Sequence, residues 1–94
     1  MKMIAPKINL NGTDGRTLEE WHYRVLCEFR KLFEAMVDIQ PHPRDFQLSA
    51  PGDYEEARKQ HIYRLQQLEK VRDEISLIHI AIADQNDARE AQRR

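Results

Sequence analysis

Between Leu18 and Ile39 apolar residues recur at spacings of three and four, as Leu18, Trp21, Val25, Phe29, Leu32, Met36 and Ile39, with Leu26, Phe33 and Val37 widening the stripe. That period predicts an amphipathic α-helix with one buried face. Thr17-Leu18-Glu19-Glu20 at its start fits a capping box, in which Thr17 accepts from the third helical N–H and Glu20 reaches back to the Thr17 N–H. Gln40-Pro41-His42-Pro43 ends it, because each proline disfavours helical geometry in the residue before it and has no N–H to donate. A second stripe, Ile62, Leu65, Leu68, Val71, Ile75, Ile78 and Ile82, follows Asp53-Tyr54-Glu55-Glu56, again an acceptor with Glu three residues on. It predicts a helix over residues 53–84, ~45 Å long at ~1.5 Å per residue against ~31 Å for the first.

Ahead of the first helix, Met3, Ile4, Ile8 and Leu10 are interleaved with Lys2, Pro6, Lys7 and Asn9, which suits an extended arm lying on something. Asn11-Gly12-Thr13-Asp14-Gly15 is a turn cluster. The chain therefore divides, within a single domain, into an arm (1–16), a helix (17–39), a loop (40–52), a second helix (53–84) and a polar tail (85–94) that either continues the helix or frays. Leu77, Ile80 and Ala81 carry apolar surface around the last turns of the second helix, more than one shorter helix covers. Either the arm or another copy of the chain must lie there. The expected fold is all-α: an antiparallel two-helix hairpin with an extended N-terminal arm, assembling into a helical homo-oligomer through the far half of the second helix.

Composition narrows the function. Ninety-four residues, 40% apolar and 33% charged, leave a thin core for which self-association would compensate. Fifteen Lys and Arg against 16 Asp and Glu give a net charge of -1, which argues against nucleic acid or an anionic membrane as partner. The second helix mixes Arg58, Lys59, Arg64, Lys70 and Arg72 with Glu55, Glu56, Glu69, Asp73 and Glu74, so no basic stripe forms. Its apolar run Ile75–Ala83 is broken by Ser76 and His79 and falls far short of the ~20 residues that span a bilayer. A lone Cys27 excludes an intrachain disulfide, and with no N-terminal run resembling a signal peptide the expected compartment is the cytoplasm.

Catalytic machinery is not evident. His22, His42, His61 and His79 form no pair at metal-ligand spacing, and Glu19 with His22 is a single Glu-x-x-His better read as a solvated helix face. Cys27, Ser49 and Ser76 have no partner in sequence to activate them, and no phosphate loop or zinc pattern is present. The expectation is a protein with no catalytic residue, no metal and no cofactor. The constellation that does suggest chemistry joins the loop to the second helix. Tyr54, Arg58 and His61 share a helix face with Arg64 one turn on, and His42-Pro43-Arg44-Asp45-Phe46 lies close in sequence. Arg44, Arg58 and Arg64 would hold phosphate, His42 and His61 would hydrogen-bond, and Tyr54 or Phe46 would stack on a base. Asn11 and Thr13 could close such a pocket from a neighbouring subunit. A plainer account serves the same residues: Arg58 pairs with Glu55 or Asp45, His61 is half-buried, and Phe46 plugs the hairpin end.

Ile8-Asn9-Leu10-Asn11-Gly12-Thr13 before an amphipathic helix, then His42-Pro43-Arg44-Asp45-Phe46, then Ala57-Arg58-Lys59-Gln60-His61 with Arg64, resembles small helical proteins of phages and prophages. In architecture the chain is similar to those that act as oligomeric sponges for the nucleotide signals of bacterial defence systems. That resemblance implies a non-catalytic counter-defence protein in the host cytoplasm that sequesters a phosphate-containing nucleotide second messenger, of cyclic or ADP-ribose type. The alternative is a protein-binding inhibitor of a host defence complex, or a small assembly component, with Trp21, Tyr23 or Ile80 as hot spots and no small-molecule ligand.

Overall fold

A computed structural model describes residues 1–93, so the last residue of the predicted tail lies outside the described chain. Two helices make up most of it, α1 over Gly15–Asp38 and α2 over Asp53–Arg93, with a short 3-10 turn at Pro43–Phe46 between them. Cross-helix contacts descend α2 as they ascend α1: Arg16 meets Glu90, Gly15 meets Asn86, Tyr23 meets His79 and Phe33 meets Arg72. The pair is thus an antiparallel hairpin, as the pattern predicts, and the described residues contain no strand.

Both helix starts differ from expectation. Asp14, not Thr17, caps α1, its carboxylate accepting from the Thr17 N–H at 3.3 Å and from the Thr17 hydroxyl at 3.5 Å. Asp ranks above Thr as an N-cap, and starting at Gly15 lets the first turn press against α2. At α2 the Glu56 N–H bonds the Gly52 carbonyl, which puts Gly52 at the cap, and the Asp53 carboxylate turns back to accept from the Ala50 N–H at 3.0 Å. Ala50-Pro51-Gly52-Asp53 closes a turn with Gly52 at φ 89, the left-handed geometry for which Pro-Gly is suited. α2 also runs through the predicted tail: its 41 residues extend ~60 Å at ~1.5 Å each, close to the 66 Å length of the whole molecule.

The inward faces are narrower than the sequence stripes. In α1 the inner line is Gly15, Leu18, His22, Leu26, Phe29, Phe33 and Met36, whereas Trp21, Val25, Leu32, Val37 and Ile39 stay exposed. In α2 His61, Leu65, Leu68, Ile75, Ile78 and Ile82 are shielded, whereas Ile62 and Val71 are exposed. Residues three apart drift around a helix of 3.6 residues per turn, so a stripe built on threes does not stay on one line. Ile82 is the one large apolar side chain taken fully out of solvent among the described residues. The radius of gyration is 19.7 Å, against ~12 Å for a compact domain of this length. The accessible surface, 7858 Å², exceeds by roughly 2,000 Å² the value expected for a monomer of this mass.

The arm does lie on α2. The Gln85 side-chain amide pairs with the backbone on either side of Lys7, accepting from the Ile8 N–H at 3.0 Å and donating to the Pro6 carbonyl at 2.9 Å. Met3, Ala5 and Ile8 turn partly inward, while Met1, Ile4 and Leu10 are almost fully exposed. The neighbouring Asn86 bonds the Gly15 carbonyl at 3.0 Å and Glu19 Oε1 at 2.8 Å. Two adjacent amides at the far end of α2 therefore anchor both the arm and the start of α1.

Candidate functional site

The predicted constellation falls into two places. At the loop end, Phe46 of the 3-10 turn packs on Tyr54 in the first turn of α2, ring centroids 6.0 Å apart and planes inclined at 56°. His42 caps the 3-10 turn, its Nδ1 accepting from the Arg44 N–H at 3.4 Å. This packing brings His42, Arg44, Phe46 and Tyr54 to one end of the hairpin, with Arg58 one turn further along α2. Arg44, Arg58 and Arg64 are exposed, and none of them pairs with an acid among the described residues.

His61 does not join them. It is 7% exposed and lies on the inward line of α2, so it belongs to the packing between the helices rather than to an open surface beside Arg58 and Arg64. The shared face inferred from spacing places Tyr54 and His61 inward and the two arginines outward. Asn11 and Thr13 are exposed at the opposite end, next to the α1 start that meets Asn86. The run of α2 from Tyr54 to Asn86 is ~48 Å at ~1.5 Å per residue, so within one protomer they cannot reach the loop-end arginines. Their backbone is also partly spoken for: the Asn11 N–H donates to Asn9 Oδ1 at 3.0 Å, and the Gly12 N–H to the Asn9 carbonyl at 3.2 Å.

The Glu19 and His22 pair is likewise occupied. His22 Nδ1 lies 2.7 Å from the Leu18 carbonyl, to which it donates, and Glu19 accepts from Asn86. Among the described residues no cluster of three His, Cys, Asp or Glu side chains is placed to hold a metal ion. No helix among them is long and apolar enough to cross a membrane.

An open cleft of about 710 Å³ lies at the other end of the hairpin, walled by the first turns of α1 and the last of α2. Arg16, Glu19, Tyr23, His79, Asn86 and Glu90 are among its lining residues. Arg16 and Glu90 pair across it at 3.4 Å, and the Tyr23 and His79 rings pack with centroids 6.0 Å apart. His79 Nδ1 is buried there with no hydrogen-bond partner among the described residues. The sequence reading missed this end, where Gln85 and Asn86 look like the start of a polar tail. The available signal was the spacing 75, 79, 82, 86, which carries the inward line of α2 through Asn86.

A third surface is apolar. Trp21, Val25 and Leu32 fall on one side of α1 by helical period, and Ile39, the C-cap residue just past its end, continues the line, all four exposed beside the line that packs on α2. Comparison with protein-family models, with characterised proteins and with solved structures finds no match to this chain.

Proposed function

We propose that the chain is a non-catalytic recognition protein that binds a protein surface along the outer edge of α1. The observation that carries this reading is the set of four large apolar side chains there, Trp21, Val25, Leu32 and Ile39, between 40% and 66% exposed on a helix whose other side already packs on α2. An apolar edge interrupted only at Glu28 and flanked by charge has the anatomy of an interface, and Trp is among the residue types most enriched in interface hot spots. The test is photo-crosslinking in the cells that make the protein. A photoreactive side chain at position 21 or 32 should yield discrete protein adducts, and one at position 55 should not. Equal labelling at all three positions would overturn the reading.

A second reading rests on a different observation, three exposed arginines that are unpaired among the described residues, Arg44 and Arg58 near the Phe46 and Tyr54 ring pair and Arg64 further along α2. Arg44, Arg58 and Arg64 would hold the phosphates of a nucleotide, with His42 as a hydrogen-bonding neighbour and the aromatic pair as a stacking edge. The resemblance to phage sponges makes a bacterial nucleotide signal the ligand to try. In this form the site is an open edge, and His61, Asn11 and Thr13 are not part of it within one protomer. Native mass spectrometry against a panel of cyclic and ADP-ribose nucleotides tests it, with retained nucleotide mass as the supporting result.

A further inference from the structure

α1 carries two seams where a helix in a simple hairpin needs one. The inner seam, Gly15, His22, Phe29 and Met36 at intervals of seven with Glu19, Leu26 and Phe33 between them, faces α2. The outer seam has the same period: Val25, Leu32 and Ile39, with Trp21, Glu28 and Ala35 between them, while the half-buried Leu18 belongs to the inner line. Sustained apolar spacing of three and four within a repeat of seven is the pattern by which one helix packs against another, so the outer seam is shaped for a helix. This inference rests on the reading of that edge as a protein-binding surface, and it names the occupant.

We infer that the outer seam is the self-association face of the chain, with α1 of a second copy packed antiparallel on it about a two-fold axis near residue 30. Three observations select a second copy. The first is residue complementarity. In the antiparallel register that matches every outer-seam position from 21 to 39, Trp21 faces Ile39 of the second copy, Val25 faces Ala35 and Glu28 faces Leu32, so two of the three facing pairs are wholly apolar. The second is charge. Arg24 and Asp38 flank the seam, both exposed and neither paired among the described residues, and this register sets each against the other across the axis, twice. At the centre the same relation sets Lys31 against Lys31 of the second copy, and each lysine keeps its own Glu28 as counter-ion at 3.2 Å. The third is area. A protomer with one fully buried large apolar side chain and roughly 2,000 Å² of surplus surface has more than the ~800 Å² per partner that a standard interface buries. A two-fold interface uses the same patch from both copies, which this edge satisfies with no other chain.

Sedimentation equilibrium of the full chain at low ionic strength tests the assignment. The expected result is a species of twice the 11.2 kDa chain mass. Asp38→Arg should weaken association about tenfold by setting like charges together, and adding Arg24→Asp should restore it to within about threefold, because the swapped pair is again complementary. Trp21→Ala should weaken it by more than tenfold. All three residues are exposed in the protomer, so unchanged far-ultraviolet circular dichroism separates loss of pairing from loss of fold. A wild-type chain that stays monomeric at about 100 μM, where association would be weaker than about 5–6 kcal/mol, overturns the inference. So does association that ignores both Trp21→Ala and the charge swap. Monomeric protein that still gives adducts at positions 21 and 32 with a different protein would overturn the second copy while sustaining the recognition surface.

Discussion

Asn86 holds the first residue of α1 from the far end of α2: its side-chain amide donates to the Gly15 carbonyl at 3.0 Å, and Gly15 is buried beneath it. A Cβ on residue 15 would run into Asn86 Oδ1 and would sit 2.8 Å from Ile8 Cδ1. The glycine is there for close approach, since its helical φ is ordinary. Gly15→Ala should therefore destabilise the fold by about 1–3 kcal/mol, despite the better helix propensity of alanine, through overpacking where α1, α2 and the arm meet. Urea unfolding of the variant would read this as a lower midpoint, and an unchanged midpoint would show that the contact relaxes without cost.

The same amide donates to the Glu19 carboxylate at 2.8 Å. Asn86→Asp keeps the shape, removes both donated hydrogen bonds and sets a second carboxylate beside Glu19. In that variant the two acids share a site, so the folded state holds a proton more tightly than the unfolded chain does. Stability then falls as pH rises through the carboxylate range. The deficit relative to wild type should be largest at pH 7 and shrink below about pH 4, near the unperturbed carboxylate values. Thermal melts at the two pH values check this, and a deficit independent of pH would mean that lost hydrogen bonding alone accounts for it.

Gln85 grips the arm through main-chain groups, so its role should depend on amide chemistry rather than on size. Gln85→Glu keeps the acceptor for the Ile8 N–H but turns a carboxylate oxygen toward the Pro6 carbonyl in place of the donor. The arm should loosen while the helices stay packed. Amide hydrogen exchange would show this as faster exchange at Ile8 with little change in α1 and α2.

Gly52 carries the one positive φ among the described residues, 89°, with open space where a side chain would be. Gly52→Ala should cost about 1 kcal/mol from backbone strain alone. In a domain of this size that lowers the melting temperature by roughly 4–8 °C.

Arg58→Ala separates the two functional readings. It removes an exposed guanidinium, unpaired among the described residues, at the loop end, ~41 Å along α2 from the Gln85 and Asn86 anchor by the same rise per residue. Nucleotide binding, measured by equilibrium dialysis, should drop by about tenfold or more if that edge holds phosphate. Self-association and folding should be unaffected in either case.

Much of the architecture is legible in the sequence. The prolines at 41 and 43 and the glycine at 52 fix where helices stop and start, because they act on the backbone locally, and two apolar periods between them dictate a hairpin. The arm was legible as extended and attached, but the candidate site was legible only as a list. Spacing along α2 puts Tyr54, Arg58 and His61 within one broad face, yet which part of that face meets α1 is set by the rotation of the packed helices. That rotation turned His61 inward and left Arg58 and Arg64 in solvent.

By itself, then, the sequence determined what local chemistry controls: the number of helices, their punctuation, the lone cysteine and the near-neutral charge. The tertiary structure decided what depends on residues distant in sequence. It made Asp14 rather than Thr17 the cap of α1, because a start at Gly15 fits under Asn86. It turned Gln85 and Asn86 from the head of a polar tail into the anchor of the arm and of α1, since an amide finds its partners only once the chain has folded back. It also split the single apolar stripe of α1 into an inner and an outer seam. A helix turning 3.6 residues at a time can lay only part of a broad stripe against one neighbour, and the remainder faces outward.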